Sequence, residues 1–333
     1  MDAPTFAGGG DDADSRSGHA ASQIDAGRVG CKPARLCRPR LPPTTVRAMA
    51  AADGTCVLCG GAHEAAFEKQ GFTFARCVAC GLVSLDPLPT AAALGAHHDA
   101  SYQDGRYAAF AAADDVRATI ADYRLARVRS VLPPGRWLDV GCSTGAFLAA
   151  AATAGMTVEG IELSASAAAA ARARGFTVHE GRVEDVQPSG SFAAVTAFDV
   201  VEHLLDPVTF VRRVAGWLAG DGALAVTVPD AASPTARLLG RAWFYYAPPD
   251  HVHYFTPATL RRLLESAGFR DVRVEPIGKP ITLAYATAQV AAFYPALGPL
   301  VRPLGALLPA ALARRPIPLP LGEILATGRR PAR

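Results

Sequence analysis

Lysine is nearly missing from this chain: its 333 residues hold three Lys against thirty Arg, a bias that reads as genome base composition rather than function. Charge is scarce too. Only 19% of residues are charged, and a formal net charge of +3 is too small to argue for nucleic acid or an anionic surface as partner. Seven Cys are too few for a disulfide scaffold in a chain of this length. At the N-terminus, Gly8-Gly9-Gly10-Asp11-Asp12 stands where a signal peptide needs an apolar run, so the expected location is cytoplasmic. The composition also excludes collagen-like, coiled-coil and wholly disordered classes.

Half of the residues are hydrophobic, enough for one large domain or a medium domain with a small module. The charge is uneven: residues 302–333 carry six Arg and one Glu, which leaves the rest slightly acidic. Residues 1–48 combine Gly, Asp, Ala, Arg and Pro with hardly any apolar periodicity, and are expected to be a disordered tail. Met49, just before the first organised segment, is an alternative start. Pro280–Val301 has no charged residue, yet its prolines and polar side chains weigh against a membrane span.

Residues 50–90 contain Cys56-Val-Leu-Cys59-Gly60 and Cys77-Val-Ala-Cys80-Gly81. Two C-x-x-C pairs, each followed by Gly, have the spacing of a closed four-thiolate zinc site, with Cys56, Cys59, Cys77 and Cys80 as ligands. So small a module has little core of its own, and the metal is expected to supply its folding energy. His63 is expected on the surface, because four thiolates already fill the shell.

Residues 91–279 alternate short apolar runs with Ala-rich helical stretches, the pattern of a parallel α/β sheet. Strands are expected at Arg136–Val140, Thr157–Ile161, Phe176–His179, Phe192–Ala197, Ala223–Val228 and Val272–Pro276. Residues 280–320 form an apolar insertion or lid, and 321–333 the last edge strand and tail.

Gly141-x-Ser143-x-Gly145, between a strand and a helix, fits two templates. One is a nucleophile elbow with Ser143 attacking an acyl carbon. The other is a glycine loop that lets a nucleotide approach the backbone at a helix N-terminus. Asp139 ends the strand before the loop and Glu162 ends the next strand. An acid there can accept both ribose hydroxyls, which a hydrolase does not need.

Leu138-Asp-Val-Gly-Cys-Ser-Thr-Gly145, Glu162, Val183-Glu-Asp185 and Phe198-Asp-Val-Val-Glu-His-Leu204 together resemble the motifs of class I S-adenosylmethionine-dependent methyltransferases. With the Cys pairs in front and His251-Val-His-Tyr-Phe255 behind, the chain resembles a branch with an N-terminal zinc ribbon. That branch is similar to sugar C-methyltransferases and ubiquinone-type O-methyltransferases. The resemblance implies a Rossmann-like, seven-stranded α/β sheet with S-adenosylmethionine over the strand ends. Gly141, Cys142 and Gly145 would line the methionine portion and Asp139 would hold its amino group. Glu162 would bind the ribose, Asp185 the adenine amino group with Val186 beside it, and Phe198 would lie along the sulfonium.

For the acceptor, His251 is the candidate base, since an imidazole titrates near working pH and Asp250 beside it can raise its basicity. An acid–His pair before Tyr-Phe in the sugar C-methyltransferases supports that role. Trp243, Phe244, Tyr245 and Tyr246 are expected to wall the acceptor pocket. Asp199, Glu202 and His203 share one helical face and offer a metal set, which ubiquinone-type O-methyltransferases carry at the matching place. The expected acceptor is a small molecule, a nucleotide-linked or glycolipid sugar ahead of a quinone or phenol. A zinc-ribbon interaction module with an inactive core is the rival. Nucleic acid is not expected, for want of an interleaved aromatic–basic stripe. Arg302, Arg314 and Arg315 beside Leu307, Leu308 and Leu312 suggest peripheral membrane contact through 280–320.

Overall fold

The computed structural model describes residues 54–103, 114–307, 309–313 and 315–330. The expected disordered tail, Met49 and Arg314 lie outside the described residues. The described chain opens with three short strands, β1 (His63–Lys69), β2 (Phe72–Cys77) and β3 (Val83–Leu85), and two helices, α1 (Ala91–Gln103) and α2 (Asp114–Val128). An alternating stretch follows: β4 (Arg136–Val140), α3 (Ala146–Thr153), β5 (Thr157–Glu162), α4 (Ala165–Ala173), β6 (Thr177–Glu180), β7 (Phe192–Phe198), α5 (Pro207–Trp217) and β8 (Leu218–Pro229). Then come α6 (Pro234–Leu239), β9 (His253–Tyr254), α7 (Pro257–Ser266) and β10 (Arg270–Thr282). Helices α8 (Leu283–Phe293), α9 (Gly298–Leu307) and α10 (Ala310–Ala313) precede the last strand, β11 (Pro316–Arg329).

Local chemistry sets the helix starts. The side chains of Ser164 and Asp206 accept from the amides of Ala167 and Thr209, and Pro207 occupies the first turn of α5. Thr256 and Thr259 form a reciprocal capping box on α7, and Gly268 follows that helix at φ 86°, where a side chain would be strained.

Seven strands form one sheet in the order β10-β11-β8-β7-β4-β5-β6. The pairs from β8 to β6 are parallel, and β11 runs antiparallel to both neighbours. The last strand is therefore interior, and the edge belongs to β10. Ile324, Leu325 and Ala326 are buried on both faces, as an inner strand requires. β10 carries Arg270, Asp271, Arg273 and Glu275, charges that suit an exposed edge.

Two apolar layers sandwich this sheet. On one face Leu138, Val140, Val195 and Val226 meet Phe210, Val214 and Trp217 of α5 and Leu260, Leu263 and Leu264 of α7. Burial of each of those leucines contributes about 1.5–3 kcal/mol. The opposite face presents small residues, Ala194, Ala223 and Ala225, and packs against Leu125 and Val128 of α2 and Phe147 of α3.

The Cys-bearing segment is not self-contained. A second sheet, ordered β1-β2-β3-β9, takes its fourth strand from a segment beyond residue 250. Phe74, Leu85 and Tyr254 are buried in its core, while Leu58 and Leu82 join the main core. His63, expected on the surface, has a side chain only 9% exposed, and its Nδ1 lies 3.2 Å from Asp86.

Candidate functional site

The four ribbon thiols converge. Their Sγ atoms all lie within 4.8 Å of one another, with Cys56–Cys80 at 3.6 Å and Cys59–Cys77 at 3.4 Å. Tetrahedral Zn–S bonds of ~2.3 Å give S–S edges of roughly 3.8 Å, so this donor set fits zinc. Gly60 and Gly81 follow the pairs at φ 71° and 79°, and the Cys80 amide donates to Cys77 Sγ.

A cavity of about 450 Å³ opens over the carboxyl ends of β4, β5 and β7. One end is bounded by Asp139, Gly141, Cys142, Ser143, Glu162 and the turn Gly181–Glu184. Gly141 has φ 74°, and a Cβ there would meet Val200 Cγ2 at 2.6 Å, so the loop can turn only without a side chain. Glu162 accepts from the amides of Ser143 and Ser164, both at 2.8 Å, and so pins the glycine loop to the start of α4. Burial pushes its carboxyl upward against those hydrogen bonds. Burial likewise pushes Asp139 up to about 7, although Thr196 donates to it at 2.6 Å and the Arg124 charge pulls the other way. A glycine cradle flanked by two buried acids fits an adenosyl cofactor.

Phe198 lines this cavity as expected. Gly145, Asp185 and Val186 do not line it. Gly145 instead caps α3 at φ 79°, packed near Ala171 and Phe176. Asp185 is exposed, because the Arg182–Val186 turn brings Arg182, Val183 and Glu184 to the wall and directs its second acid outward.

The other end of the cavity is built from Arg117, Arg124, Asp199, His203, Leu205, Asp250 and Lys279. Here the structure corrects the expected acid–His pair. Asp250 accepts from His97 Nε2 at 2.8 Å, not from His251. Although burial works to raise Asp250, His97, His203 and His251 hold it at about 2. His251 lies behind the cavity wall, with Nδ1 donating to the Tyr245 carbonyl at 2.9 Å. Burial, reinforced by His203, lowers it to about 3 despite the Asp250 charge, so it is neutral at working pH. His203, which does face the cavity, donates from Nδ1 to the Asp250 carbonyl at 2.7 Å, making Nε2 its basic nitrogen.

The expected metal set is also rearranged. Asp199 turns away, with Arg124 at 2.5 Å, Lys279 at 3.6 Å and the Thr227 hydroxyl at 2.9 Å. Burial opposes its ionisation, but those two cations hold it well below the usual carboxylate range. Its place is taken by His251: ligand atoms of Glu202, His203 and His251 lie within 4.8 Å of one another. Glu202 is 1% exposed, its Oε2 lacks a hydrogen-bond partner, and burial with the Asp199 charge pushes it well upward.

Trp243, Phe244, Tyr245 and Tyr246 do not line the cavity. They form a cluster behind it, in which Tyr246 meets ribbon residues Phe67 and Phe74, Phe244 meets Phe293, and Tyr245 stacks on His251. Tyr245 also donates to Glu323, which accepts from Lys279 at 2.7 Å.

A doubly wound sheet with a glycine loop and an acid at successive strand ends defines a nucleoside-cofactor enzyme fold. The family model described as a methyltransferase domain matches residues 112–274. Curated relatives include a ubiquinone biosynthesis O-methyltransferase of Xanthomonas campestris, 35% identical over 161 residues, 44% of this chain and 66% of the relative. One from Aromatoleum aromaticum is 27% identical over 165 residues, 45% of this chain and 70% of the relative. The chain thus spans just under two thirds of the Xanthomonas relative's length. Similar solved structures include S-adenosylmethionine-dependent methyltransferases of Thermotoga maritima (TM-score 0.47, 20% identity, 69% of this chain and 99% of that one) and Mesorhizobium loti (0.42, 22%, 62% and 98%). Over residues 112–274 the chain is thus similar to S-adenosylmethionine-dependent methyltransferases.

Proposed function

We propose that this protein transfers the methyl group of S-adenosylmethionine to a hydroxyl of a small-molecule acceptor and carries a structural zinc on Cys56, Cys59, Cys77 and Cys80. One observation carries the reading: a single cavity is lined by the glycine loop, by Glu162 and by His203. S-adenosylmethionine supplies an electrophilic methyl on a sulfonium. Glu162 would hold the ribose and the ionised Asp139 the amino group of that cofactor. The acceptor hydroxyl then lies towards His203. The cofactor, when bound, would supply the methyl group, and His203 Nε2 would take the acceptor hydroxyl's proton. The products are a methyl ether, S-adenosylhomocysteine and a protonated His203.

The similarity to ubiquinone biosynthesis O-methyltransferases favours a phenolic or quinol hydroxyl over the nucleotide-linked or glycolipid sugar. Incubation of zinc-loaded protein with S-adenosylmethionine and panels of catechols and nucleotide sugars tests this by mass spectrometry. A methylated catechol is expected. Turnover of nucleotide sugars alone contradicts the choice of acceptor.

The unpartnered Glu202 Oε2 favours a second reading, in which Glu202, His203 and His251 hold a divalent metal beside the acceptor. Both imidazoles donate Nδ1–H to backbone carbonyls and present Nε2, the arrangement of metal-ligating histidines. A metal there lowers the acceptor hydroxyl's pKa. Activity that survives a chelator too weak to strip the ribbon contradicts this reading.

A further inference from the structure

The insertion between β10 and β11 has a surface unlike the rest of the chain. Of the eight large hydrophobic residues most exposed among the described residues, five belong to it: Phe293, Leu297, Leu300, Leu307 and Leu312. Leu300 and Leu307 of α9 are 66% and 80% exposed. They stand seven residues apart, two helical turns, and so share one face.

Charge on this stretch has one sign. The 43 residues from 280 to 322 contain no Asp, Glu or Lys, and their three charged residues are Arg302, Arg314 and Arg315. An ordinary solvated helix carries acids and bases together. Apolar projections in a field of arginine alone suit an interface whose interior is hydrocarbon and whose rim is anionic. Among the described residues no helix is long and apolar enough to cross a membrane. The uncharged run is broken instead into the end of β10, α8, a turn at Pro295–Leu297 and α9.

We propose that α8–α10 form a surface that docks on anionic lipid membranes, with Leu300 and Leu307 entering the acyl boundary and the exposed Arg315 meeting headgroup phosphates. The foot of this surface stands on the segment behind the candidate site. The Tyr294 hydroxyl donates to the Ala242 carbonyl at 2.7 Å, and Phe293 lies 5.7 Å from Phe244. Docking thereby brings the cavity's neighbourhood to the bilayer, where an amphiphilic acceptor resides. The proposal concerns attachment alone and stands whether or not methyl transfer is correct.

The test is co-sedimentation of the full zinc-loaded chain with vesicles of phosphatidylcholine, with and without about a third phosphatidylglycerol. The wild-type chain should partition onto the anionic vesicles, less so in high salt, and only weakly onto pure phosphatidylcholine. The double variant Leu300→Glu, Leu307→Glu should lose roughly tenfold or more in partition. Its far-UV circular dichroism and melting temperature should stay unchanged, showing that the fold is intact. Equal partition of variant and wild type, equal partition onto both vesicle types, or no partition at all would overturn the proposal. So would a concentration-dependent dimer in sedimentation velocity that the double variant abolishes, since the face would then belong to a second copy of the chain.

Discussion

Ser84 in the ribbon and His253 beyond the main sheet's fifth parallel strand are joined by a 2.8 Å hydrogen bond between Ser84 Oγ and His253 Nδ1. His253 Nε2 faces the Leu205 carbonyl, so Nδ1 is the accepting nitrogen and the serine donates. Beside this pair the Leu85 amide donates to the Val252 carbonyl, and the Val252 amide to the Glu202 carbonyl, both at 2.9 Å. The ribbon is thus hydrogen-bonded to the segment that carries His251, and through Val252 to Glu202. It braces the candidate site as a wall of the same structure.

Cysteine replacement should therefore reach the site. Cys77→Ser is expected to release about one zinc per chain. Hydrogen exchange at Leu85 and Val252 should quicken with it, because the metal holds β3 against β9. Unchanged zinc content would refute the metal assignment, and zinc loss with unaltered exchange would refute the bracing.

His203→Gln should slow methyl transfer by about 10²–10⁴-fold, the range for removing a general base, with S-adenosylhomocysteine affinity retained. A rate within a few fold of wild type would remove His203 from the chemistry.

Binding should release protons below neutral pH. Burial holds Asp139 at about 7 in the fold, against 3.8 for an ordinary aspartate. Between those values the folded chain binds more protons than the unfolded one, so the Asp139 contribution to stability falls as pH rises from about 4 to 7. A cationic cofactor amino group favours the ionised form. Affinity for S-adenosylhomocysteine should rise with pH up to about 7, and Asp139→Asn should flatten that rise. Titration in buffers of different ionisation enthalpy measures the released proton directly.

Acid should loosen the segment around β9. Burial depresses His253 to about 4 and His251 to about 3, below the ordinary 6.5. The unfolded chain then binds more protons in that window, and stability is lost as pH falls below about 6.5. His253→Gln should reduce the dependence of melting temperature on pH; an unaltered slope would contradict the burial argument.

Lys279→Met should destabilise the chain by about 3–5 kcal/mol, the scale for breaking a buried ion pair from one side. Its removal leaves Asp199 and Glu323 facing each other with fewer cations. A denaturation midpoint equal to wild type would show the network to be solvated.

What the sequence disclosed was local. The thiol pairs, the glycine loop and Glu162 declare themselves within a few residues, because spacing along the chain sets their geometry. The residues that misled are those whose partners are distant. Asp199 belongs to Arg124 and Lys279, and Asp250 to His97, pairings 75 to 153 residues apart in sequence that no periodicity announces. The interior position of β11 depends on which strand β10 leaves exposed, and β9 reveals itself only once the ribbon needs a fourth strand. Asp185 is directed away from the cavity by turn geometry too fine for a spacing argument to resolve.

The most direct test of the account is calorimetric titration of S-adenosylhomocysteine into folded, zinc-loaded protein and its Glu162→Ala variant. The account predicts micromolar binding that the variant weakens by about 1–3 kcal/mol, the scale for unmatched buried polar groups. Absence of binding in the wild-type chain would contradict it and leave the fold as the core of an interaction module.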